Sequence, residues 1–312
     1  MAQSKILLPI LIVVGLLMLL GLVIGPVGSA LFQGGADKAF LPIPEVHLAP
    51  QKIFDIAGFP VTNTLLSAWL TTIVVIAVFV GGTRKMKLIP TRFQNVVEIF
   101  IEALYGFMAS VVGEKFARSF FPILATIFIF VAFNAWMALL PIYPTVGFMD
   151  ENNHVTAHLL RSAGTDVNMP LALAIISFVF VEFWGLKVHK APYLKEFFRF
   201  GGIVRGIIKF KPGEIFYGAI DAFVGLLELI SHFIRLLSFT FRLFGNMMAG
   251  EIVLFMVTFL MIFIAPLAFY FLEILVGGVQ ALIFTGLTLV FGLMAVAQHE
   301  EGHEDSAKAE AH

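Results

Sequence analysis

The chain has 312 residues, 59% of them hydrophobic and 13% charged, with a mean hydropathy of +0.95; soluble domains run at about 45–50% apolar and about 25% charged, so a soluble globular protein is excluded. A formal net charge of −1 gives no bias toward nucleic acid. With no cysteine there is no disulfide framework, thiolate metal site or cysteine nucleophile.

A helix of about 20 apolar residues crosses the ~30 Å hydrocarbon layer. Runs of that kind are predicted at residues 6–24, 61–80, 120–140, 169–186, 215–261 and 266–297. The first run, behind Lys5 and ahead of Gly28-Ser29-Ala30, resembles a signal peptide with a small-residue cleavage site, but it is longer than such regions usually are. We read it as a retained anchor helix, with a cleaved signal as the alternative. Residues 34–60, punctuated by Pro42, Pro44, Pro50 and Pro60, then form an extracytoplasmic linker. The domain division is therefore 1–60 for anchor and linker, 61–299 for the membrane domain and 300–312 for a polar, disordered cytoplasmic tail.

Between the second and third runs, residues 91–114 place Phe93, Val97, Ile101, Leu104, Met108 and Val111 at helical spacing. Arg92, Gln94, Asn95, Glu98 and Glu102 hold much of the other side. This predicts an amphipathic helix in the cytoplasmic interface, or one packed on protein. Loop charge sets the orientation. Arg84, Lys85, Lys87 and Arg92 mark one cytoplasmic loop, and Lys187, Lys190, Lys195, Arg199, Arg205, Lys209 and Lys211 mark the other. Asp150, Glu151 and Asp166, against Arg161 alone, mark the opposite side, which leaves both termini cytoplasmic.

The fifth run is too long for one upright crossing and must be tilted, broken or partly laid along the surface. Within it Glu228, Ser231, Arg235, Ser238, Arg242, Asn246 and Ala249 recur at steps of three and four, so a single stripe carries them, opposite Phe233, Leu237, Phe241, Phe244 and Met248. A charged side chain at bilayer depth costs about 2.5–3.5 kcal/mol on insertion scales and is a functional candidate. Arginine keeps its proton, so Arg242 holds a permanent positive charge beside a partner that changes charge. Glu251 falls on roughly the opposite face and about 13 Å along the axis, out of reach of Arg242. The sixth run offers Glu251 a partner in Glu273 and Gln280, which share a face with Gly277 and Gly278 between them for close helix approach. Two carboxylates in low dielectric suit proton carriage. Taken singly, Ser231, Ser238 and Asn246 are as well read as helix glue, and His232 and Glu182 carry weaker signals still.

Two motifs are set aside. His299-Glu300-Glu301-Gly302-His303 matches the zinc-protease pattern but sits in the polar tail, without the buried helix, third ligand and second shell that chemistry needs. Gly201-Gly202-Ile203-Val204-Arg205-Gly206 lacks the spacing and the preceding strand of a phosphate loop. No metal or cofactor site is expected.

The stretch Phe241 to Glu251, FRLFGNMMAGE, resembles the signature of subunit a, the membrane stator of F-type ATP synthases. The resemblance extends to FQNVVEIFIE, to Leu139-Leu140-Pro141 and to Asp166-Val167-Asn168, and covers about residues 61 to 299. It implies an all-α integral membrane fold of about five core transmembrane helices, a cytoplasmic interfacial helix and an extra N-terminal hydrophobic helix, the last two helices forming a long tilted hairpin. It implies that Arg242 is the stator arginine, with Asn246 its neighbour and Gln280 packed near it. Glu251 and Glu273 fall at the family's pair of titratable residues, often a carboxylate and a histidine, and Glu228, Ser231 and Ser238 at polar positions of the same helix. Ala138, where some members have an acid before Leu-Leu-Pro, is a departure, with Asn134 a turn earlier. The implied role is a non-catalytic proton-translocating subunit in a bacterial-type plasma membrane. Its partners are a ring of c subunits, peripheral-stalk b subunits and, through the complex, the catalytic head. A secondary transporter is the alternative, but the chain lacks the paired repeats usual in that class.

Overall fold

The computed structural model describes residues 2–26, 29, 49–84, 86–87, 92–149, 155–190, 193, 212–261 and 264–297. The elements in chain order are α1 (Ala2–Ile24), β1 (Lys52–Ile56), β2 (Phe59–Thr62), α2 (Asn63–Thr83), α3 (Arg92–Ala138), α4 (Ile142–Thr145), β3 (Gly147–Met149), β4 (Val155–His158), a 3-10 turn (Ala163–Thr165), α5 (Asn168–His189), α6 (Pro212–Leu260) and α7 (Ile264–Ala297). The fold is all-α with two small ribbons, and α2, α3, α5, α6 and α7 are long and apolar enough to cross a membrane. The zinc-protease look-alike, the glycine-rich stretch at 201–206, the basic stretch at 195–211 and most of the proline-rich linker lie outside the described residues.

Three boundaries refine the expected spans. α3 is two helices joined through Gly113, whose φ of 75° and ψ of 157° suit only a residue without Cβ. The amphipathic segment thus ends there, and the following span begins well before residue 120. At its far end Leu139 and Leu140 donate their amides to Trp136 and Met137, tightening the last turn ahead of Pro141. α6 runs unbroken for 49 residues, about 73 Å at 1.5 Å per residue. Of the three expectations for the fifth run, a break is excluded.

The linker is corrected. Its end forms the antiparallel β1–β2 hairpin, turned by Ala57 (φ 52°) and Gly58 (φ 87°), and a second hairpin pairs β3 with β4. Two positive-φ residues make the mirror-image turn that matches strand twist. Neither ribbon shows a clean alternation of apolar and polar residues, which is why periodicity passed over them.

The chain divides into two compact units, each taken here by itself. The first comprises Met1–Ile76, Phe130–Asp166 and Phe244–Ala281. Its helix contacts use small residues: a Cβ on Gly277 would come within 2.8 Å of the Ala135 methyl, and Trp136 Nε1 donates to the Ile274 carbonyl at 3.0 Å. The glycine pair that seemed to serve Glu251's neighbourhood therefore serves contact with α3. Gly25, just past α1, sits so close to Leu260 that a Cβ would lie 2.8 Å from its carbonyl oxygen.

The second unit comprises Ala77–Ile129, Val167–Leu243 and Leu282–His312. Its core gathers Leu104, Met108, Val112, Phe120 and Leu124 of α3, Phe180 and Val181 of α5, and Leu289 of α7. Phe120 is its hub, 5.0 Å from both the Phe180 and Trp184 rings and seated against Gly292. In lipid such contacts hold by packing rather than by exclusion of water. The amphipathic segment of α3 packs on protein through Val97, Leu104, Met108 and Val112, while Val96, Ile99 and Phe107 remain exposed. Phe93, expected on the buried side, is exposed, and Gln94, expected on the polar side, is buried. The Gln94 amide exchanges hydrogen bonds with the Lys87 backbone and donates to Glu98 at 2.6 Å.

Candidate functional sites

In the first unit, polar groups converge on Glu251. Arg161, in the loop after β4, meets its carboxylate as a fork: Nε lies 3.1 and 3.3 Å from the two oxygens and Nη2 lies 3.1 Å from Oε2. The guanidinium also donates to the Ala49 carbonyl at 3.2 Å, and the Arg161 amide to Ser67 Oγ at 3.1 Å. Arg161 is 9% exposed and Glu251 20%. A bidentate arginine pair is the strongest and most directional ion pair available to a carboxylate. Glu251 thus has a partner that loop charge alone could not nominate, because Arg161 read only as the lone cation of an acidic loop.

Glu273 stands at the adjacent position. Its carboxylate lies against Gly250, where a Cβ would collide with it. Gly250 thereby gives α7 its close approach to α6 beside Glu251. Asn246 donates to Gln280 at a long 3.5 Å. The same unit pins its loop to α2, since Thr64 donates to Asp166 at 2.9 Å and Asn63 to the His158 carbonyl at 3.3 Å. Asn63, Thr64, Ser67 and Thr71 give α2 a fully buried polar face. The Tyr143 hydroxyl points toward Ser67 and Thr71. Thr71 Oγ1, Asn134 Oδ1, Tyr143 Oη, Ser162 Oγ and Gln280 Nε2 are buried and complete no hydrogen bond among the described residues. Such a density of unsatisfied buried groups is the setting in which ordered water is found.

Breaking a buried pair by removing one partner typically costs about 3–5 kcal/mol. Arg161→Ala is accordingly expected to lower the amount of subunit retained in membranes, or the thermal resistance of its complex, far more than Lys52→Ala, whose pair with Asp55 is exposed. Equal effects in a heat-inactivation assay would remove the pair from the structural account.

In the second unit a cleft of about 410 Å³ is lined by Tyr193, Glu228, Ser231, His232 and Arg235 on a backing of Val181, Phe291 and Met294. His232 Nδ1 lies 2.6 Å from Glu182 Oε1, and Tyr193 donates to Glu182 Oε2 at 3.0 Å. The Arg235 guanidinium stacks 3.8 Å above the Phe291 ring centroid. Glu228 and Ser231, singled out by spacing, thus share a cleft with His232, beside Glu182, both rated weak from sequence. The missed signal is that Glu182 has an apolar helix around it and no local counter-charge, so a partner on another helix was required.

On α6, Ser231, Ser238, Arg242, Gly245 and Ala249 are exposed. Arg242 makes no ion pair or hydrogen bond with the described residues. Phe233, Leu237 and Phe241 of the other stripe are exposed too. The contrast of polar and apolar faces is therefore not one of outside and inside, as it would be in water. Among the described residues each stripe is covered only in part: Arg235 lies on Phe291, Asn246 reaches Gln280 and Met248 is buried, while Ser238, Arg242, Leu237 and Phe241 stay open.

Comparison with known proteins places the chain in a family. The family described as ATP synthase A chain matches residues 65–292. ATP synthase subunit a of Desulfosudis oleivorans is 34% identical over 246 residues, covering 77% of this chain and 92% of that protein. The protein of the same name from Gloeobacter violaceus is 30% identical over 241 residues, covering 77% and 86%. That from Helicobacter acinonychis is 28% identical over 256 residues, covering 81% and 99%.

Proposed function

The chain belongs to the ATP synthase A chain family, subunit a of the F-type ATP synthase, and we propose that it is the stator that forms two offset half-channels against a rotating c ring. The observation that carries this is the exposed stripe of α6: a permanent cation, Arg242, flanked by Ser238, Gly245 and Ala249, with no counter-charge among the described residues. An uncompensated arginine on a membrane helix needs a partner, and small neighbours let a surface slide past. The partner this reading supplies is the carboxylate of each c subunit in turn.

On this reading protons enter from outside along the buried polar seam of the first unit, past Ser67, Thr71 and Tyr143 to Glu251 and Glu273, with Asn246 and Gln280 beyond. Arg161 holds Glu251 in place by its fork, and Glu273 stands beside it against Gly250. A neutralised ring carboxylate then travels through lipid and releases its proton to the second unit's cleft, where Glu228 and Ser231 stand, with Ser238 between cleft and arginine. Arg242 favours the ionised carboxylate and bars a direct leak between the paths. Loop charge supports this polarity: the acidic loop belongs to the first unit and both basic loops to the second. The remaining expectations fit the same frame: a multi-pass protein of a bacterial-type plasma membrane with cytoplasmic termini, bound to c and b subunits and through them to the catalytic head. The close approach of Gly25 to Leu260 supports retention of α1.

Affinity purification of the tagged chain from native membranes tests the assignment. A ring of small hairpin subunits and a soluble ATPase head are expected to co-purify. A stable homodimer lacking both would instead indicate a transporter.

A further inference from the structure

We propose that Glu182 and His232 form a proton-relaying pair on the wall of the second unit's cleft, an element of the inner half-channel beyond Glu228 and Ser231. The proposal rests on the half-channel reading above. Its basis is the hydrogen bond of 2.6 Å between His232 Nδ1 and Glu182 Oε1, made between α6 and α5, with His232 lining a cleft large enough for several waters.

The surroundings are built for exchange rather than for a static tie. Glu182, Gly185 and His189 follow at helical spacing on α5 and hold Tyr193: its ring lies on Gly185, stacks on His189 at 6.4 Å and sends its hydroxyl to Glu182 Oε2. Tyr193 is buried, and its hydroxyl is a neutral donor that fixes the carboxylate without discharging it. Glu182 and His232 are 19% and 13% exposed, so both are sheltered while the cleft reaches the imidazole. Among the described residues, His232 is faced by Glu182 and the edge of Phe178 from α5, by Tyr193 after it, by Glu228 and Arg235 from its own helix, and by the apolar Phe291, Met294 and Ala295 of α7. Arg235, anchored on Phe291, lies within electrostatic range of Glu182 and Tyr193, and its cation offsets the local acids.

The transfer balances simply. A proton taken from cleft water at Nε2 of the imidazole is matched by one leaving Nδ1 for Oε1 of Glu182; the reverse transfer returns a proton through the imidazole to water in the cleft and restores the starting tautomer, so the pair takes up and releases one proton with no net change. Histidine suits this duty because its two distinct ring nitrogens can take up a proton at one and release one at the other.

The test uses the whole complex in inverted membrane vesicles, with passive proton conduction through the head-stripped membrane sector measured across about pH 5 to 8. In His232→Asn and in Glu182→Gln, which keep hydrogen bonding but remove titration, conduction is expected to fall about tenfold, about 1.4 kcal/mol of barrier. The pH profile of His232→Asn should also differ in shape from that of the unaltered chain. Unchanged magnitude and profile in both variants would overturn the relay. Arg242→Ala, run in parallel, separates the two levels of the argument: coupled pumping that survives it removes the half-channel reading, whereas its loss beside normal His232→Asn and Glu182→Gln profiles removes only the relay. Because the chain has no cysteine, His232→Cys provides a single thiol should a variant fail to assemble. Its silver-ion inhibition from the cytoplasmic face supports the proposal, and insensitivity counts against it.

Discussion

Arg242→Ala is expected to abolish ATP-driven proton pumping while the soluble head continues to hydrolyse ATP. A fixed charge about 4 Å from a ring carboxylate, at an effective dielectric of about 20, favours the ionised form by about 4 kcal/mol, about three pKa units. On the half-channel reading, without it the arriving carboxylate keeps its proton through the inner half-channel and the stroke delivers nothing. Arg242→Lys tests the same point more finely, since an ammonium sheds its proton far more readily than a guanidinium in a dry setting. Dye-quenching in inverted vesicles reads the result, and undiminished coupled pumping in the alanine variant would sink the assignment of this helix as the stator surface.

The second large effect concerns the inlet. Glu251→Ala combined with Glu273→Ala is expected to reduce proton entry by about 100-fold, the lower end of what positioned acid–base groups contribute. Removing Glu251 also leaves Arg161 buried without its fork partner. The paired Gln replacements, which keep side-chain size and one acceptor oxygen while removing titration, therefore separate conduction from packing. Glu273→Gln should account for most of the loss in conduction and Glu251→Gln, which breaks one arm of the fork to Arg161, for most of the loss in assembly. ATP synthesis at normal rate under a modest driving force in the double variant would show that the path lies elsewhere.

Much of this architecture was legible before any coordinates. Length and apolarity located every long helix, because the bilayer demands continuous runs and tolerates little else. Steps of three and four exposed the α6 stripe, and one undecapeptide carried the family. What stayed hidden is instructive in its pattern. The partner of Glu251 lay on a loop, where no periodicity reports orientation. Glu182 and His232 sit on different helices, 50 residues apart, so neither looked purposeful alone. Phe93 and Gln94 exchanged their expected places because Gln94 found backbone partners in the preceding loop at Lys87, a local gain that outweighed the amphipathic pattern. The ribbons escaped notice since a few residues of strand in a polar connection carry almost no signal.

The 90 residues that separate Arg161 from Glu251 also impose an order on biogenesis. Arg161 leaves the ribosome before α5, α6 and α7 exist, and its charge has no carboxylate to meet until α6 has been inserted. A chain arrested or truncated before that point presents an unsatisfied guanidinium and a loop untethered from α6, both hallmarks a membrane protease could read. Closure of the fork therefore requires, at one bond, that α6 has arrived beside the loop after β4.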